Sequence, residues 1–116
     1  RQLDLIARTL CQQPEVILLD EPTSHLDFKN QAIVMKTLKN LSKKVMTLVM
    51  TSHVPSHAFQ VANKVILMGK EGIIAQGAPM EVMTEEILSR VYGVTVSVFK
   101  REEKGREVLF CEPSFE

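Results

Sequence analysis

The chain has 116 residues, of which 45% are hydrophobic and 24% are charged. This length and composition suit one small globular domain. Lys plus Arg and Asp plus Glu both number 14, so the formal net charge is +0 and no basic surplus favours nucleic acid as a partner. The apolar runs are strand-sized and well short of the roughly 20 residues that span a bilayer. Any membrane role would therefore be peripheral.

Residues 1–10 predict a helix, because apolar residues recur at the spacing of one helix face, at Leu3, Ile6, Ala7 and Leu10. No Met, capping residue or signal-peptide pattern precedes this helix. We therefore expect the chain to be a piece cut from a longer protein. Cys11 and Cys111 lie far apart, with no second Cys or His at ligand spacing, which favours reduced cytosolic thiols over a disulfide or a metal site.

The most informative stretch runs from Val16 to Asp27. Its apolar start, Val-Ile-Leu-Leu, predicts a short strand that is buried on both faces, as in a parallel sheet covered by helices. Asp20 and Glu21 follow directly, at the end of the strand where open α/β sheets bind their ligands. Successive side chains there point to opposite sides, so one carboxylate can hold Mg²⁺ and the other can face a reacting water. The pair alone is equally typical of a strand that ends in solvated acids.

A helix and a second strand follow this run. Asp27 can cap a helix over about residues 28–43, in which apolar residues fall at helical spacing. Residues 45–51 are rich in branched and apolar side chains and predict the next strand. The strand–helix–strand order predicts a right-handed parallel crossover between the two strands.

His53 follows the second strand and should open onto the same sheet edge as Asp20. A lone His in this position is more often structural than catalytic. A rival interpretation pairs His53 with His57 as zinc ligands at i, i+4, but Pro55 and the absence of the Glu found in such motifs argue against it. His25 is interpreted as a surface residue at a permissive position.

The second half of the chain predicts shorter elements from its alternating and helical apolar spacings. In order, these are a helix over 57–62, a strand over 65–68, its hairpin partner over 73–75, a helix from Pro79 with a break near Thr84, and a C-terminal hairpin with strands over 94–98 and 108–111. A charged turn over 101–107 is expected between the last two strands, and its alternating signs are typical of a solvated surface.

Several motifs, in order along the chain, resemble those of ABC-type ATPases. The run from Val16 to Asp27 is similar to their Walker B strand and D-loop, and residues 50–53 are similar to their switch-histidine strand. Residues 1–10 resemble the helix that follows their Leu-Ser-Gly-Gly-Gln signature. Residues 72–79 resemble importer-type members, and the tail from residue 88 is most like the ATPases that serve iron-siderophore, haem and cobalamin importers.

The resemblance implies an α/β fold, namely a partial P-loop NTPase sheet of the ABC ATPase type with flanking helices and a C-terminal β-hairpin. Residues 1–116 would be the C-terminal portion of a single ABC ATPase domain. The phosphate loop, the Gln-loop and the complete signature are not in this sequence and would lie upstream. In such a domain, the phosphate-loop strand lies between the strand that ends at His53 and the strand that starts near Val65.

The resemblance also implies roles for individual residues. Asp20 would bind Mg²⁺ through water, Glu21 would orient and polarise the attacking water, and His53 would contact the γ-phosphate of ATP. Ser24 and Asp27 would form the D-loop that bridges two subunits. The catalytic residues would thus be Glu21 and His53, and the nucleotide site would comprise Asp20, Glu21, Ser24, Asp27 and His53.

The parent protein is therefore expected to be the ATP-hydrolysing subunit of an ABC importer, peripheral on the cytoplasmic face of the cell membrane and dependent on ATP and Mg²⁺. Its partners would be a second copy of the subunit and transmembrane permease subunits. The fragment alone should be inactive, because no phosphate loop holds a nucleotide. Without the phosphate-loop strand, either the strands that start near Val45 and Val65 close the gap directly, or copies of the chain associate through unpaired strand edges, which is the favoured outcome. Two alternatives stay open: a non-transport ABC ATPase of repair or translation, and a non-catalytic α/β interaction domain.

Overall fold

The structure is a computed structural model that describes Arg8, residues 15–44 and residues 47–115. The chain divides into two compact units, Arg1–His53 and Val54–Glu116. The helix expected over residues 1–10 lies outside the described residues except for Arg8, which is helical. Among the described helices, none combines the length and the apolar content needed to cross a membrane.

The first unit contains strand β1 (Val16–Asp20), helix α1 (Phe28–Leu41) and strand β2 (Thr47–Thr51). The two strands pair in parallel, with Asp20 opposite Thr51 at their C-terminal ends. This confirms the predicted parallel pairing across an intervening helix.

Helix α1 begins as its capping chemistry predicts. The Asp27 carboxylate accepts a hydrogen bond of 2.8 Å from the backbone N–H of Asn30, which satisfies one of the free N–H groups of the first turn. The buried face of the helix carries Val34, Met35, Leu38 and Leu41. The helical spacing found in the sequence therefore identifies the residues that form the core of this unit.

Strand β1 is not buried on both faces, so that prediction is wrong. Ile17 is 2% exposed, but Val16 and Leu18 are 52% and 74% exposed. Because successive strand side chains point to opposite faces, one face of β1 is packed through Ile17 and the other is open to solvent. We call the residues of this second face, Val16 and Leu18, the open face of β1.

The second unit contains seven elements. They are helix α2 (Pro55–Val61), strand β3 (Val65–Gly69), strand β4 (Gly72–Gly77), helix α3 (Pro79–Val82), helix α4 (Glu85–Tyr92), and the C-terminal strands β5 (Val96–Glu103) and β6 (Arg106–Pro113). Strands β3 and β4 are antiparallel, as are β5 and β6. The core of the unit consists of Val65, Leu67, Val82, Met83, Leu88 and Val96.

The break between α3 and α4 lies where the sequence predicts it. The Thr84 hydroxyl accepts a 3.2 Å hydrogen bond from the backbone N–H of Ile87, and Glu85 and Glu86 occupy the first turn of α4. Acidic side chains in a first turn interact favourably with the helix dipole. The new helix therefore starts because Thr84 caps it.

The C-terminal hairpin is longer than predicted, and the prediction of a charged turn over 101–107 is wrong. The ladder continues to the pair Glu103 and Arg106, so the turn consists of Lys104 and Gly105 alone. Both residues have positive φ, at 52° and 77°, as a two-residue type I′ hairpin turn requires. The charged residues on either side are therefore strand residues with exposed side chains.

Each sheet of the described residues has two strands: β1 with β2, β3 with β4, and β5 with β6. Strands β2 and β3 were the two expected to flank the phosphate-loop strand. Strand β2 belongs to the first unit and strand β3 to the second.

Candidate active site

The parallel register brings together two polar side chains at the ends of β1 and β2. Asp20 lies opposite Thr51, and the Thr51 hydroxyl donates a hydrogen bond of 2.5 Å to Asp20 Oδ1. Both residues are exposed to solvent. This bond engages one of the two carboxylate oxygens of Asp20.

Glu21 follows Asp20 and begins the turn that leaves the sheet. Its backbone N–H donates to Thr51 Oγ1 at 3.0 Å and to the Thr51 carbonyl at 3.2 Å. Its φ of +44° lies in the left-handed region, which non-glycine residues seldom adopt and which costs on the order of 1–3 kcal/mol. The two bonds to Thr51 hold the backbone in this unfavourable conformation.

His53 contacts the side chain of Glu21. Its Nε2 lies 3.0 Å from Glu21 Oε1, and the two side chains are 85% and 37% exposed. An exposed pair of this kind adds little to stability. Its significance is geometric, because the imidazole and the carboxylate meet beside Asp20 at an edge of the sheet that solvent can reach.

Ser24 and Asp27 lie in the segment that leads from Glu21 to α1. Ser24 is exposed, and its backbone N–H donates to the Glu21 carbonyl at 3.0 Å. The Asp27 carboxylate is engaged at the N-terminus of α1. The structure thus brings the side chains of Glu21 and His53 together and links Asp20 to Glu21 through Thr51, whereas Ser24 and Asp27 are joined to this cluster through the backbone of the turn.

The zinc-pair interpretation does not fit the helix boundaries. Such a pair needs both His residues on one helix face, but α2 begins at Pro55, after His53. His57 lies on α2 and is 8% exposed, and its burial lowers the pKa of the imidazole. In residues 15–44 and 47–115, no group of three or more His, Cys, Asp or Glu side chains is arranged to hold a metal ion.

Thr51 belongs to this cluster but was not among the predicted site residues. A signal for it was present, since β1 and β2 have five residues each. An in-register parallel pairing of two such strands places the last residue of β2 opposite the last residue of β1.

Comparisons with known proteins show what the chain is similar to. No family model matches the chain. The petrobactin import ATP-binding protein FpuC of Bacillus anthracis is 35% identical over 90% of the chain, and the hemin import ATP-binding protein HmuV of Rhodococcus jostii is 35% identical over 90%. The chain spans 39% and 36% of the lengths of these two relatives.

A solved structure, described as an inward-facing conformation of a metal-chelate type ABC transporter, matches over the whole chain. The TM-score is 0.91 and the sequence identity is 34%, and the match covers 46% of that structure's chain.

The fold is that of part of an α/β domain of the P-loop NTPase class. More narrowly, the chain is homologous to the ATP-binding proteins of ABC importers. The resemblance found in the sequence is therefore confirmed over most of the chain.

Proposed function

We propose that the chain is the part of an ABC importer's ATP-hydrolysing subunit that carries the metal-binding and water-activating residues. The observation that carries the proposal is the 3.0 Å contact between Glu21 Oε1 and His53 Nε2, next to Asp20. The names of the two relatives say that they serve the import of petrobactin and of hemin. They support a metal chelate, either a siderophore complex or haem, as the transported substrate, while cobalamin stays a prediction from the sequence.

Asp20 is suited to hold Mg²⁺ through water. Magnesium prefers oxygen ligands and usually keeps several of its waters, so one or two carboxylates suffice in a nucleotide site. Asp20 is exposed at a strand end, where it can reach such a hydrated ion, and its bond to Thr51 uses only Oδ1. When bound, the ion would supply positive charge to the phosphate oxygens of ATP.

Glu21 and His53 then divide the remaining chemistry. Glu21 orients and polarises the attacking water, because a carboxylate accepts a hydrogen bond from it at neutral pH. His53 donates from its imidazole to the γ-phosphate, where negative charge gathers in the transition state. Their contact of 3.0 Å brings the water-activating and phosphate-binding groups to the same point.

The chain needs residues from elsewhere to hold ATP. It contains no Gly-x-x-x-x-Gly-Lys-Ser/Thr motif, whose backbone N–H groups and lysine cradle the phosphates. We propose that residues 1–116 are the C-terminal portion of one ABC ATPase domain of about the relatives' length. Phosphate loop, Gln-loop and signature then lie in the rest of that domain, and the 116-residue chain alone does not hydrolyse ATP.

The proposal extends to partners and location. Ser24 and Asp27 lie at the exposed turn beside the cluster, where a second copy of the subunit can approach the nucleotide. The complete subunit binds transmembrane permease subunits on the cytoplasmic face of the membrane. The import functions in the relatives' names favour this role over repair or translation, and the Glu21–His53 cluster favours catalysis over an interaction domain.

The test is a change at Glu21 in the complete protein. Glu21→Gln removes the charge that polarises water but keeps the shape, so ATP hydrolysis should fall by roughly a hundredfold or more. Glu15→Gln, at the other end of β1 and exposed, is the matched control and should hydrolyse ATP at the wild-type rate. Unchanged hydrolysis in Glu21→Gln would overturn the assigned role of Glu21.

A further inference from the structure

We propose that Thr51 is a positioning residue that fixes both Asp20 and Glu21 for ATP hydrolysis. This inference rests on the proposed function and extends it to a residue outside the acidic pair. Its basis is that one hydroxyl group bridges the side chain of Asp20 and the backbone of Glu21.

The direction of the two hydrogen bonds follows from their chemistry. The Glu21 backbone N–H can only donate, so Thr51 Oγ1 is the acceptor in that bond of 3.0 Å. The single hydroxyl hydrogen is then available to donate to Asp20 Oδ1 at 2.5 Å. An ionised carboxylate accepts such a bond strongly. The hydroxyl therefore acts once as donor and once as acceptor.

The bond to Asp20 selects which oxygen is left for a ligand. With Oδ1 held by Thr51, the carboxylate cannot rotate freely, and Oδ2 is the oxygen that can accept from a metal-bound water. A carboxylate fixed in this way needs no reorientation when the ion binds. Loss of the hydroxyl should therefore lower ATP hydrolysis, and the loss should be largest at low Mg²⁺ concentration.

The bond to Glu21 acts on the backbone. The left-handed φ of +44° at Glu21 sets the direction in which its side chain leaves the sheet and so its contact with His53. Thr51 supplies two acceptors to the Glu21 N–H, its hydroxyl and its carbonyl. A change at the hydroxyl leaves the carbonyl bond in place, so the turn should persist while the position of the Glu21 carboxylate becomes less defined.

The experiment compares hydroxyl-free and hydroxyl-retaining variants in the complete protein. Thr51→Val should lower kcat by roughly tenfold or more, since small misplacements of reacting groups have effects of this size, with little change in KM for ATP. The Mg²⁺ concentration for half-maximal activity should rise. Thr51→Ser should restore both to near wild-type values, and Thr51→Ala should behave as Thr51→Val.

The matched control is Thr47→Val, at the start of the same strand. Thr47 is exposed and lies opposite Val16, away from the cluster, so this variant should keep wild-type kcat and Mg²⁺ dependence. Melting temperatures of all four variants separate loss of activity from loss of folding.

The outcomes distinguish this inference from the function on which it rests. If Glu21→Gln abolishes hydrolysis while Thr51→Val matches wild type, the role of Thr51 is refuted and the proposed function stands. If Thr51→Ser is as impaired as Thr51→Val, the hydroxyl is not the active feature and the inference is again refuted. If the wild-type complete protein does not hydrolyse ATP, the proposed function itself fails.

Discussion

Leu18 should respond differently to truncation in the 116-residue chain and in the complete protein. In the structure, its side chain is 74% exposed on the open face of β1. Because only about a quarter of the side chain is buried, Leu18→Ala should lower the free energy of unfolding of the chain by less than about 1 kcal/mol. In the complete protein, where we propose that the rest of the domain covers this face, the same change should cost about 2–5 kcal/mol.

Urea denaturation followed by circular dichroism measures both values. Leu38→Ala is the matched control, since Leu38 on α1 is 0% exposed in the chain itself. It should cost about 2–5 kcal/mol in both proteins. A small and equal cost of Leu18→Ala in the two proteins would refute the reasoning, because the open face of β1 would then stay exposed in the complete domain.

Three further predictions concern the chain itself. Asp27→Ala removes the acceptor for the Asn30 N–H and should lower the free energy of unfolding by about 0.5–2 kcal/mol in urea denaturation, with a smaller loss in Asp27→Asn. Burial lowers the pKa of His57 from 6.5. The contribution of neutral His57 to the free energy of unfolding should therefore be complete above that pH. It should be lost as the pH falls towards the lowered folded-state pKa, because the unfolded chain takes up the proton first. This loss, measured by urea denaturation across pH, should disappear in His57→Gln and persist in the exposed-site control His25→Asn. The isolated chain should show no ATP turnover and a mass that rises with concentration in light scattering, whereas a stable monomer would contradict the predicted edge-to-edge association.

Features that depend on local chemistry could be predicted from the sequence. The Asp27 and Thr84 caps are examples, because a capping side chain and the N–H that it accepts from are three residues apart. The acidic pair and His53 were predicted at one edge for a similar reason, since parallel strands joined by a helix end on the same side. The first inference needs only the spacing of residues, and the second needs only the order of elements along the chain.

Features that depend on neighbours in space were missed. The apolar run Val16–Leu19 predicted a doubly buried strand, but burial requires elements on both faces, and Leu18 lies on an open one. The role of Thr51 depends on its register with Asp20. In the C-terminal hairpin, the run of charged residues led to the prediction of a long turn. The turn consists of Lys104 and Gly105 alone, whose positive φ values allow a two-residue turn.

The most direct measurement is the identity of the nucleotide that the complete Glu21→Gln protein retains after incubation with ATP and Mg²⁺ and removal of free nucleotide by gel filtration. If Glu21 activates the attacking water, as its contact with His53 beside Asp20 supports, the retained nucleotide should be intact ATP, while the wild-type protein should yield ADP. Retained ADP in Glu21→Gln, formed at the wild-type rate, would contradict the assignment of this cluster as the site of ATP hydrolysis.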